Sequence, residues 1–485
     1  MSILNTFTSR IIPLFVACLI AASCSSCAVR AVDASVCGFL PGAAAHDNTV
    51  ALQSVLDGGR CKVTVSTPGI YDLDGTIYLD DDTELECAEG VVLRKAAPYC
   101  NMFVNRGAAE RMYNSNIILR GLNLCVNGND NPPSEDSPLF GLRAQLAFLC
   151  THGVEVYDFR CEDMAKMQYA IQFNQSDNFV LDTFVIRGDK DALHISSSDH
   201  FVLRNGRVRS FDDCIALNAS DWNSSNCVDG DITDGLIEDI VDESLEPHSG
   251  LMCRMLVGAW VDWYEGISIR RGDMVVSNGK MYKAIAPVKD TTYLSLTEPV
   301  TDSFAGQQED AGGFAWKLVR SDRVYYNTNI RDVTLRRITG LSSRTAFGQE
   351  TYHSDSRWSR NFHPDVLGHC DLYPCIEGIL VEDCSLPGNH FMFWRCANAH
   401  VEMTFKGVRD FKGRFLINGA EYPDMKSEIS FIGCDFTSCL EDVDFEIKEN
   451  VTVNVRECIF RDSLRARCSG QLVADVPVAY REWPQ

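Results

Sequence analysis

The sequence has few basic residues for its length, and this shortage limits the partners that the protein can bind. Among its 485 residues, 44 are Lys or Arg and 67 are Asp or Glu, which gives a formal net charge of −23. A surface with this excess of negative charge repels polyanions, because binding to phosphate backbones and anionic membranes depends on clustered cations. The sequence therefore predicts that nucleic acid is not a partner.

Long apolar runs are also missing after the first residues of the chain. At the N-terminus, Arg10 precedes the apolar run IIPLFVACLIAA and the small-residue stretch SCSSCAVR. This order is typical of an export signal, and the run is shorter than the roughly 20 residues of a spanning helix. We therefore expect residues 1–27 to be a signal peptide of a secreted, periplasmic or cell-surface protein without a membrane span. The AASC stretch is also similar to a bacterial lipoprotein signal, which would make Cys24 a lipid anchor.

Cysteines, in contrast, are abundant, with 21 in the chain. An even number remains after the signal, and in an exported protein this predicts disulfides, with Cys37–Cys61 and Cys370–Cys375 as candidate pairs. The alternative is that many of them are small buried hydrophobic side chains. No histidine set accompanies the C-x4-C pairs, so a zinc site is not expected, and no metal or other cofactor is predicted.

Short β-rich phrases recur along most of the chain. GVEVYDFRC begins at residue 153, NFVLDTFVI at 178 and HFVLRNGRV at 200, and several later phrases keep a spacing of 22 to 25 residues. The alternation of apolar and polar residues within each phrase indicates half-buried strands. Units of this length predict a parallel β-helix with coils stacked about 4.8 Å apart. A leucine-rich repeat would show its Leu and Asn pattern, which is absent, and a β-sandwich would not repeat one phrase type so often.

Two segments depart from this repeat. Residues 46–95 open with an amphipathic helix, which would cap the open end of the solenoid. In residues 266–322 the repeat stops, and GDMVVSNGKMYKAI carries an Asn-Gly hairpin signal. We therefore predict an all-β chain with a parallel β-helix over 28–265, a small antiparallel β insertion over 266–322, and further β-helix coils over 323–485.

The N-terminal segment and a central block resemble known β-helix proteins. Residues 46–95 are similar to the N-terminal region of pectate-lyase-like β-helix proteins. The phrases DKDALHI, with Asp191, and FDDCIAL, with Asp212 and Asp213, resemble two motifs of glycoside hydrolase family 28, the polygalacturonase-type enzymes. The 21 residues between Asp191 and Asp212 correspond to one coil. This resemblance implies a right-handed fold and glycoside hydrolysis, with Asp212 as general acid and Asp191 and Asp213 activating water.

Other motifs of that family are altered in this chain. The Gly-His-Gly motif has its nearest counterpart in PHSGLMCR, which offers His248. The Arg-Ile-Lys motif is missing, and Arg254 or Arg344 is the candidate for a basic residue that binds substrate. Trp222 is a candidate for stacking on a sugar, with a packing role as the equal alternative. His194 is expected to be structural. The predicted substrate is a polysaccharide or oligosaccharide, with the sugar left open.

Strand parity raises a question about the paired carboxylates. If Ile215 and Leu217 point inward, Asp213 has inward parity and Asp212 points outward. An ionised carboxylate that points inward without a partner is costly. We therefore expect the chain to bend or bulge at the aspartate pair and to turn both side chains toward a groove. There, a protonated carboxyl and a second carboxylate would meet the requirement of glycoside hydrolysis, with about 6.5–9.5 Å between them in an inverting enzyme.

Two other functions remain open at this point. A polysaccharide lyase on the same fold needs a basic residue to abstract a proton and often calcium, which an aspartate cluster can bind. A non-catalytic, adhesive β-helix would use the aspartates only to bind sugar hydroxyls. The insertion resembles small chitin-binding-type modules, in which Tyr282 and Trp316 would stack on sugar. A module of this size needs its few aromatic residues in its core, which favours packing roles for both.

Overall fold

The computed structural model describes most of the chain. The described ranges are 31–58, 62–222, 224–244, 250–289, 291–342, 344–351, 373–388, 391–393, 399–412, 415–417, 425–439 and 443–482. The predicted signal peptide with Cys24, and the candidate site residue His248, lie outside these ranges. Within them, no helix combines the length and the apolar character that crossing a membrane requires.

Short strands dominate the described part of the chain. Before the insertion these are β1 (Ala31–Asp33), β2 (Lys62–Val65), β3 (Gly69–Leu73), β4 (Ile77–Leu79), β5 (Glu84–Cys87), β6 (Val91–Lys95), β7 (Phe103–Asn105), β8 (Asn114–Arg120), β9 (Asn123–Cys125), β10 (Ala144–Met164), β11 (Tyr169–Gly188), β12 (Leu193–Ser196), β13 (Asp199–Ser210), β14 (Ile215–Asn218), β15 (Ile232–Asp242) and β16 (Cys253–Val257). The insertion contains β17 (Val261–Asp262), β18 (Ser268–Ile269), β19 (Met274–Ser277), β20 (Lys280–Ile285), β21 (Tyr293–Leu294), β22 (Gln308–Asp310) and β23 (Phe314–Arg320).

The strands after the insertion continue the solenoid. They are β24 (Ile330–Arg336), β25 (Thr339–Gly340), β26 (Thr345–Thr351), β27 (Cys375–Glu382), β28 (Phe391–Phe393), β29 (His400–Lys406), β30 (Phe415–Ile417), β31 (Ser427–Ile432), β32 (Asp435–Phe436), β33 (Val443–Ile447), β34 (Val451–Arg456), β35 (Ile459–Phe460), β36 (Leu464–Cys468), β37 (Gln471–Ala474) and β38 (Val478–Tyr480). Helix α1 spans Ala45–Leu56, and short 3-10 helices span Ala34–Cys37 and Arg106–Glu110.

The chain winds as a right-handed parallel β-helix with three faces, as the repeat and the resemblance predicted. The first face runs from β1 through β2, β5, β8, β10, β11, β13 and β15, and continues after the insertion with β24 and β27. The second face contains β3, β6 and β9, the later parts of β10, β11, β13 and β15, and β25. The third face contains β4, β7, β10, β11, β12, β14, β16 and β26. Strands β10 and β11 are long because each turns the corners and serves all three faces.

The register between neighbouring coils fixes which residues stack. On the third face, Ile171 pairs with Leu193 and Leu193 pairs with Ile215, so one coil takes 22 residues at this point. On the first face, Phe179 pairs with Phe201 at the same spacing. Side chains that are 22 residues apart in this part of the chain therefore lie directly above one another.

Ladders of apolar side chains fill the interior of the solenoid. The rings of Phe148, Phe173, Phe179 and Phe201 stack in series, with centroids 5.1, 3.9 and 5.2 Å apart. Each buried ring contributes about 1.5–3 kcal/mol relative to an exposed one. Helix α1 covers the N-terminal end with its apolar face, which packs into the same core and confirms the predicted cap.

The cysteines do not form the predicted disulfides in the described part of the chain. All 15 cysteines there are free thiols, and most of them are buried. Cys214, Cys253 and Cys434, for example, belong to the main core, where they act as small hydrophobic side chains. Of the two suggested pairs, Cys61 and Cys370 lie outside the described residues.

Between β16 and β24 the chain forms a separate small sheet with the strand order β17-β19-β20-β23-β22, antiparallel except for the pair β17–β19. Strands β19 and β20 are joined by Asn278 and Gly279, whose φ angles of 50° and 71° suit the tight hairpin that the sequence predicted. Tyr282 and Trp316 are fully buried in the core of this sheet. Both aromatic rings therefore pack inside the insertion and are not presented to a sugar.

Candidate active site

Three carboxylates meet at one corner of the solenoid, just before strands β12 and β14. Because Leu193 pairs with Ile215, Asp191 and Asp213 occupy equivalent positions in consecutive coils. The residue that stacks on Asp191 is therefore Asp213, and not Asp212 as the 21-residue spacing suggested. One oxygen from each of Asp191, Asp212 and Asp213 lies within 4.8 Å of the others. The predicted trio is thus a real cluster, with a different register.

The chain bends at the aspartate pair, as strand parity predicted. Strand β13 ends at Ser210 and β14 begins at Ile215, so the pair lies between two strands. The carbonyl of Asp212 accepts hydrogen bonds from Ser210 Oγ at 3.0 Å and from the Arg344 guanidinium. A Cβ on Gly250 would come within 2.1 Å of the Asp212 carbonyl carbon, so the next coil must carry glycine here. These contacts fix the backbone that presents the carboxylates.

Two basic side chains balance part of the negative charge. The Lys190 ammonium contacts a carboxyl oxygen of Asp212 and lies 3.6 Å from a carboxylate oxygen of Asp191. Sequence reasoning missed Lys190, although the 22-residue register places it directly over Asp212. Arg254 Nη1 lies 3.6 Å from Asp213 Oδ2, and its side chain is 23% exposed. Of the two predicted basic residues, Arg254 is the one whose guanidinium reaches the carboxylates.

Arg344 has a different environment from the one predicted for it. Its side chain is fully buried and donates to both carboxylate oxygens of Asp242, at 3.0 Å each. It also donates to the carbonyl of Asp212 and to Ser210 Oγ. This placement speaks against direct contact with substrate, because no part of the side chain is exposed. Arg344 instead holds the bend that carries the carboxylate cluster.

Two aromatic side chains in the segments before and after β14 are partly exposed. Trp222 is half-buried in the loop after β14, and the Lys289 ammonium lies 4.7 Å from its ring centroid. Phe211, which directly precedes Asp212, is 48% exposed. Sequence reasoning did not single out Phe211, although its position beside the aspartate pair was a usable signal. An exposed ring at this position is suited to stacking on a sugar.

Asp191 is almost fully buried and has a histidine partner. Its Oδ2 lies 3.0 Å from His194 Nδ1, and the His194 ring stacks on Tyr169 with centroids 4.3 Å apart. Burial alone would raise the pKa of Asp191, but the positive charges of Lys190 and His194 outweigh it and hold this pKa below its usual range. Asp191 is therefore a carboxylate.

The pKa values of the two other carboxyl groups, Asp212 and Asp213, are shifted upward. Burial, followed by the charge of Asp191, raises the pKa of Asp212 despite the Lys190 ammonium. Burial raises the pKa of Asp213 to about 7, although Arg254 opposes the shift and the Leu251 N–H donates to Asp213 Oδ1 at 2.7 Å. The corner thus combines one ionised carboxylate with two groups that bind protons more readily, which is the separation that acid–base chemistry requires.

This shift predicts a pH dependence of stability that Asp213→Asn removes. The pKa of Asp213 lies above its unfolded value of 3.8, so its protonation stabilises the folded protein fully below that value. This contribution is lost as the pH rises through about 7. The Tm of Asp213→Asn, measured relative to that of the wild type, should therefore increase as the pH rises from about 4 to about 8. Thermal unfolding of both proteins across this range measures the effect, and parallel Tm curves would contradict it.

Within the described ranges, two groups of side chains have the geometry to hold a metal ion. One is the cluster of Asp191, Asp212 and Asp213, where Lys190 and Arg254 already supply positive charge. The other comprises Asp177, Asp199 and His200 on the first face. Its two carboxylates stack in register on consecutive coils and line a polar cavity of about 370 Å³ that contains none of the three clustered aspartates.

Comparisons with known proteins found no protein-family model and no curated protein that matches this chain. Among solved structures, the Yersinia enterocolitica family 28 exopolygalacturonase is 11% identical, covers 93% of this chain and 77% of its own, and has a TM-score of 0.46. PfbA, a surface adhesin of Streptococcus pneumoniae, is 11% identical, and the match covers 91% of this chain and 92% of PfbA, with a TM-score of 0.41. The GH87 alpha-1,3-glucanase of Streptomyces thermodiastaticus is 10% identical, and the match covers 94% of this chain and 69% of the glucanase chain, with a TM-score of 0.36. At these levels the function must be argued from the residues of the site.

Proposed function

We propose that this protein is an exported glycoside hydrolase that cleaves a polysaccharide or oligosaccharide with inversion at the anomeric carbon. The observation that carries the proposal is the cluster of Asp191, Asp212 and Asp213 at one corner, with the pKa of the first lowered and those of the other two raised. One group then serves as a base while another retains a proton. Export rests on the sequence of residues 1–27.

The proton donor in this proposal is Asp212. Its side chain is 26% exposed, whereas those of Asp191 and Asp213 are 5% and 2% exposed, so it is the carboxyl that a glycosidic oxygen can reach. Proton transfer from Asp212 to this oxygen accompanies cleavage of the bond between the anomeric carbon and the leaving group. The Lys190 ammonium then stabilises the carboxylate that forms on Asp212.

Asp191 and Asp213 act on the water in this proposal. Asp191 accepts a proton as the water oxygen bonds to the anomeric carbon, and Asp213 orients the same water from the next coil. The oxygens of the cluster lie within 4.8 Å, closer than the separation of about 6.5–9.5 Å that is usual for inverting enzymes and nearer to the roughly 5–5.5 Å of retaining ones. Burial favours inversion, because a water molecule can reach Asp191 and Asp213 more easily than a sugar carbon can.

A polysaccharide lyase is the second candidate, and the structure supplies the basic residue that the sequence did not reveal. Lys190 lies at the carboxylates, where a proton-abstracting base would be needed. Burial lowers the pKa of Lys190, but Asp191 and other anionic neighbours outweigh it and raise the pKa above its ordinary value. A lysine that holds its proton this firmly is a poor base. The charge balance at the site therefore favours hydrolysis.

The proposed function is tested with the purified protein and a panel of neutral and acidic polysaccharides. We expect release of reducing ends from one class, and NMR of the first products should show the anomer opposite to that of the substrate. Retention of configuration would overturn inversion and assign a nucleophile to the cluster. Products that absorb as an unsaturated sugar would establish a lyase instead, and binding without any product would establish a glycan-binding protein.

A further inference from the structure

The inserted sheet reaches the carboxylate corner through a buried lysine. Lys283 on β20 forms an ion pair with Asp229 in the loop after β14, with 2.6 Å between Nζ and Oδ2, and the two side chains are 3% and 0% exposed. Lys283 Nζ also donates to the carbonyl of Asp221 at 3.0 Å. Burying two charges has a desolvation cost that only close contacts offset. An ion pair kept at this position despite that cost suggests a function beyond stability.

Hydrogen bonds lead from this pair to Asp191. Asp229 Oδ1 accepts from Asn226 Nδ2 at 2.9 Å, and the same amide nitrogen donates to the Asn218 carbonyl at 2.8 Å. The Asn218 carbonyl has no proton to give, so it fixes which end of the Asn226 amide is nitrogen. The amide oxygen of Asn226 therefore faces His194 Nε2, at 2.9 Å. Burial raises the pKa of Asp229, and the Lys283 ammonium is the charge that opposes this rise.

This orientation determines the protons on His194. Nε2 must carry a proton in order to donate to the Asn226 oxygen, and Nδ1 lies 3.0 Å from Asp191 Oδ2. Because Asp191 is ionised, Nδ1 must also donate, and His194 is then an imidazolium. Burial would lower the pKa of His194, but the contact with Asp191 outweighs it and raises this pKa. The stacked ring of Tyr169 keeps the imidazole in this plane.

We propose that Lys283 is a positioning residue of the inserted sheet that acts through Asp229, Asn226 and His194 to hold Asp191 as the anionic base of the site. The expected effect on catalysis rests on the proposed function, whereas the expected protonation state of His194 does not. The insertion is then part of the hydrolytic apparatus, and its core serves to place one ammonium group.

Removal of the Lys283 charge should propagate along this path. In Lys283→Met, Asp229 is buried without a counter-charge, and it takes up a proton in response. With Asp229 protonated and the Lys283 contact to the Asp221 carbonyl lost, the loop that carries Asn226 is no longer tied to the inserted sheet, so the Asn226 oxygen moves away from His194 Nε2. His194 then becomes a neutral imidazole that donates only from Nδ1, and Asp191 loses the adjacent positive charge.

The charged and titratable groups that face Asp191 and His194 come from several elements. Around Asp191 they are Lys190, His194, Asp212, Asp213, Arg254 and Tyr169. Around His194 they are Asp191, Asp221 and Tyr169, with Asp221 Oδ2 at 3.9 Å from Nε2. Lys283→Met removes none of these groups, so its effect on Asp191 must pass through the loop of Asp221, Asn226 and Asp229 that Lys283 holds.

Two measurements on the full-length protein test the proposal. The first is ¹⁵N NMR of the histidine rings, with His194 assigned by the loss of its signals in His194→Gln. We expect both ring nitrogens of His194 to be protonated at neutral pH in the wild type and only Nδ1 to be protonated in Lys283→Met.

The second measurement is the pH profile of kcat/KM, whose acidic limb should move to higher pH as the pKa of Asp191 rises. General-base catalysis contributes roughly 10²–10⁴-fold, and we expect a loss of about 10-fold or more in kcat with little change in KM.

Lys280→Met is the matched control, since Lys280 lies on the same strand and pairs with Asp302 of the insertion; it should behave as the wild type in both measurements. Lys283→Arg should restore part of the loss.

If Lys283→Met does not fold, the double variant Lys283→Met/Asp229→Asn removes both charges and should show the same effects. A His194 signal and pH profile identical to those of the wild type would overturn the inference. A wild type that hydrolyses no glycan would overturn the proposed function alone, because the NMR result would still decide the coupling.

Discussion

Asp212→Asn is expected to lower kcat for glycan hydrolysis by about 10²–10⁴-fold and to leave the fold unchanged. The asparagine side chain keeps the shape of the carboxyl but has no proton to give to the glycosidic oxygen. The bend itself should persist, because Ser210 and Arg344 bind the backbone carbonyl of residue 212 and not its side chain. Reducing-end assays give the rate, and circular dichroism with thermal unfolding verifies the fold.

A substrate with a better leaving group separates the role of Asp212 from those of its neighbours. A nitrophenyl glycoside needs little protonation, so it should recover much of the loss in Asp212→Asn and little of the loss in Asp191→Asn. Asp462→Asn is the control, since this carboxylate is 63% exposed and pairs only with a neighbouring arginine among its described contacts. Full activity of Asp212→Asn on the natural polymer would contradict the assignment of the acid.

Arg344→Met is expected to destabilise the protein by about 3–5 kcal/mol, because it leaves Asp242 buried without its counter-charge. Both side chains of this pair are fully buried, and both carboxylate oxygens of Asp242 accept from the guanidinium. The variant also loses a donor to the carbonyl of Asp212, so activity should fall along with stability. Denaturant unfolding followed by tryptophan fluorescence and by activity measures the two effects.

Arg337→Met provides the matched comparison. Arg337 contacts Glu238 and Asp239 from the outer surface and is 46% exposed, so its loss should destabilise the protein far less than the loss of Arg344. The double variant Arg344→Met/Asp242→Leu should regain much of the stability, since it removes the uncompensated charge. If Arg344→Met costs no more than Arg337→Met, the buried pair does not support the corner as described.

The fold could be predicted from sequence because its rules are local. Phrases such as those at 178 and 200 repeat at the length of one coil, and the alternation within them states which side chains face inward. Asn278 and Gly279 marked the hairpin of the insertion for an equally local reason, since few residues adopt positive φ at both turn positions. Among the described cysteines the disulfide expectation failed, because cysteine spacing does not distinguish a thiol that fills a core from one that pairs.

The site was predicted less completely because it depends on register between coils. The spacing between the two sequence motifs predicted that Asp212 stacks on Asp191. The observed strand pairing instead stacks Asp213 on Asp191 and places Lys190 over Asp212. The burial of Arg344 could not be predicted, because β16 and β26 stack only after the whole insertion has intervened. His194 was expected to be structural, and its burial agrees, but its link to Asp191 required the position of a loop that follows no repeat.

The insertion also bears on how the solenoid can fold. Contacts between ordinary neighbouring coils join residues about 22 apart, whereas the pairing of Glu238 with Arg336 across the insertion joins residues 98 apart. Closing the longer loop costs only about 1.3 kcal/mol more in chain entropy, because this cost grows with the logarithm of loop length. The inserted sheet has its own small core around Tyr282 and Trp316, and if this sheet forms first it shortens the effective loop. A β-helix can thus gain a module between two coils with little kinetic penalty to the ladder that it interrupts.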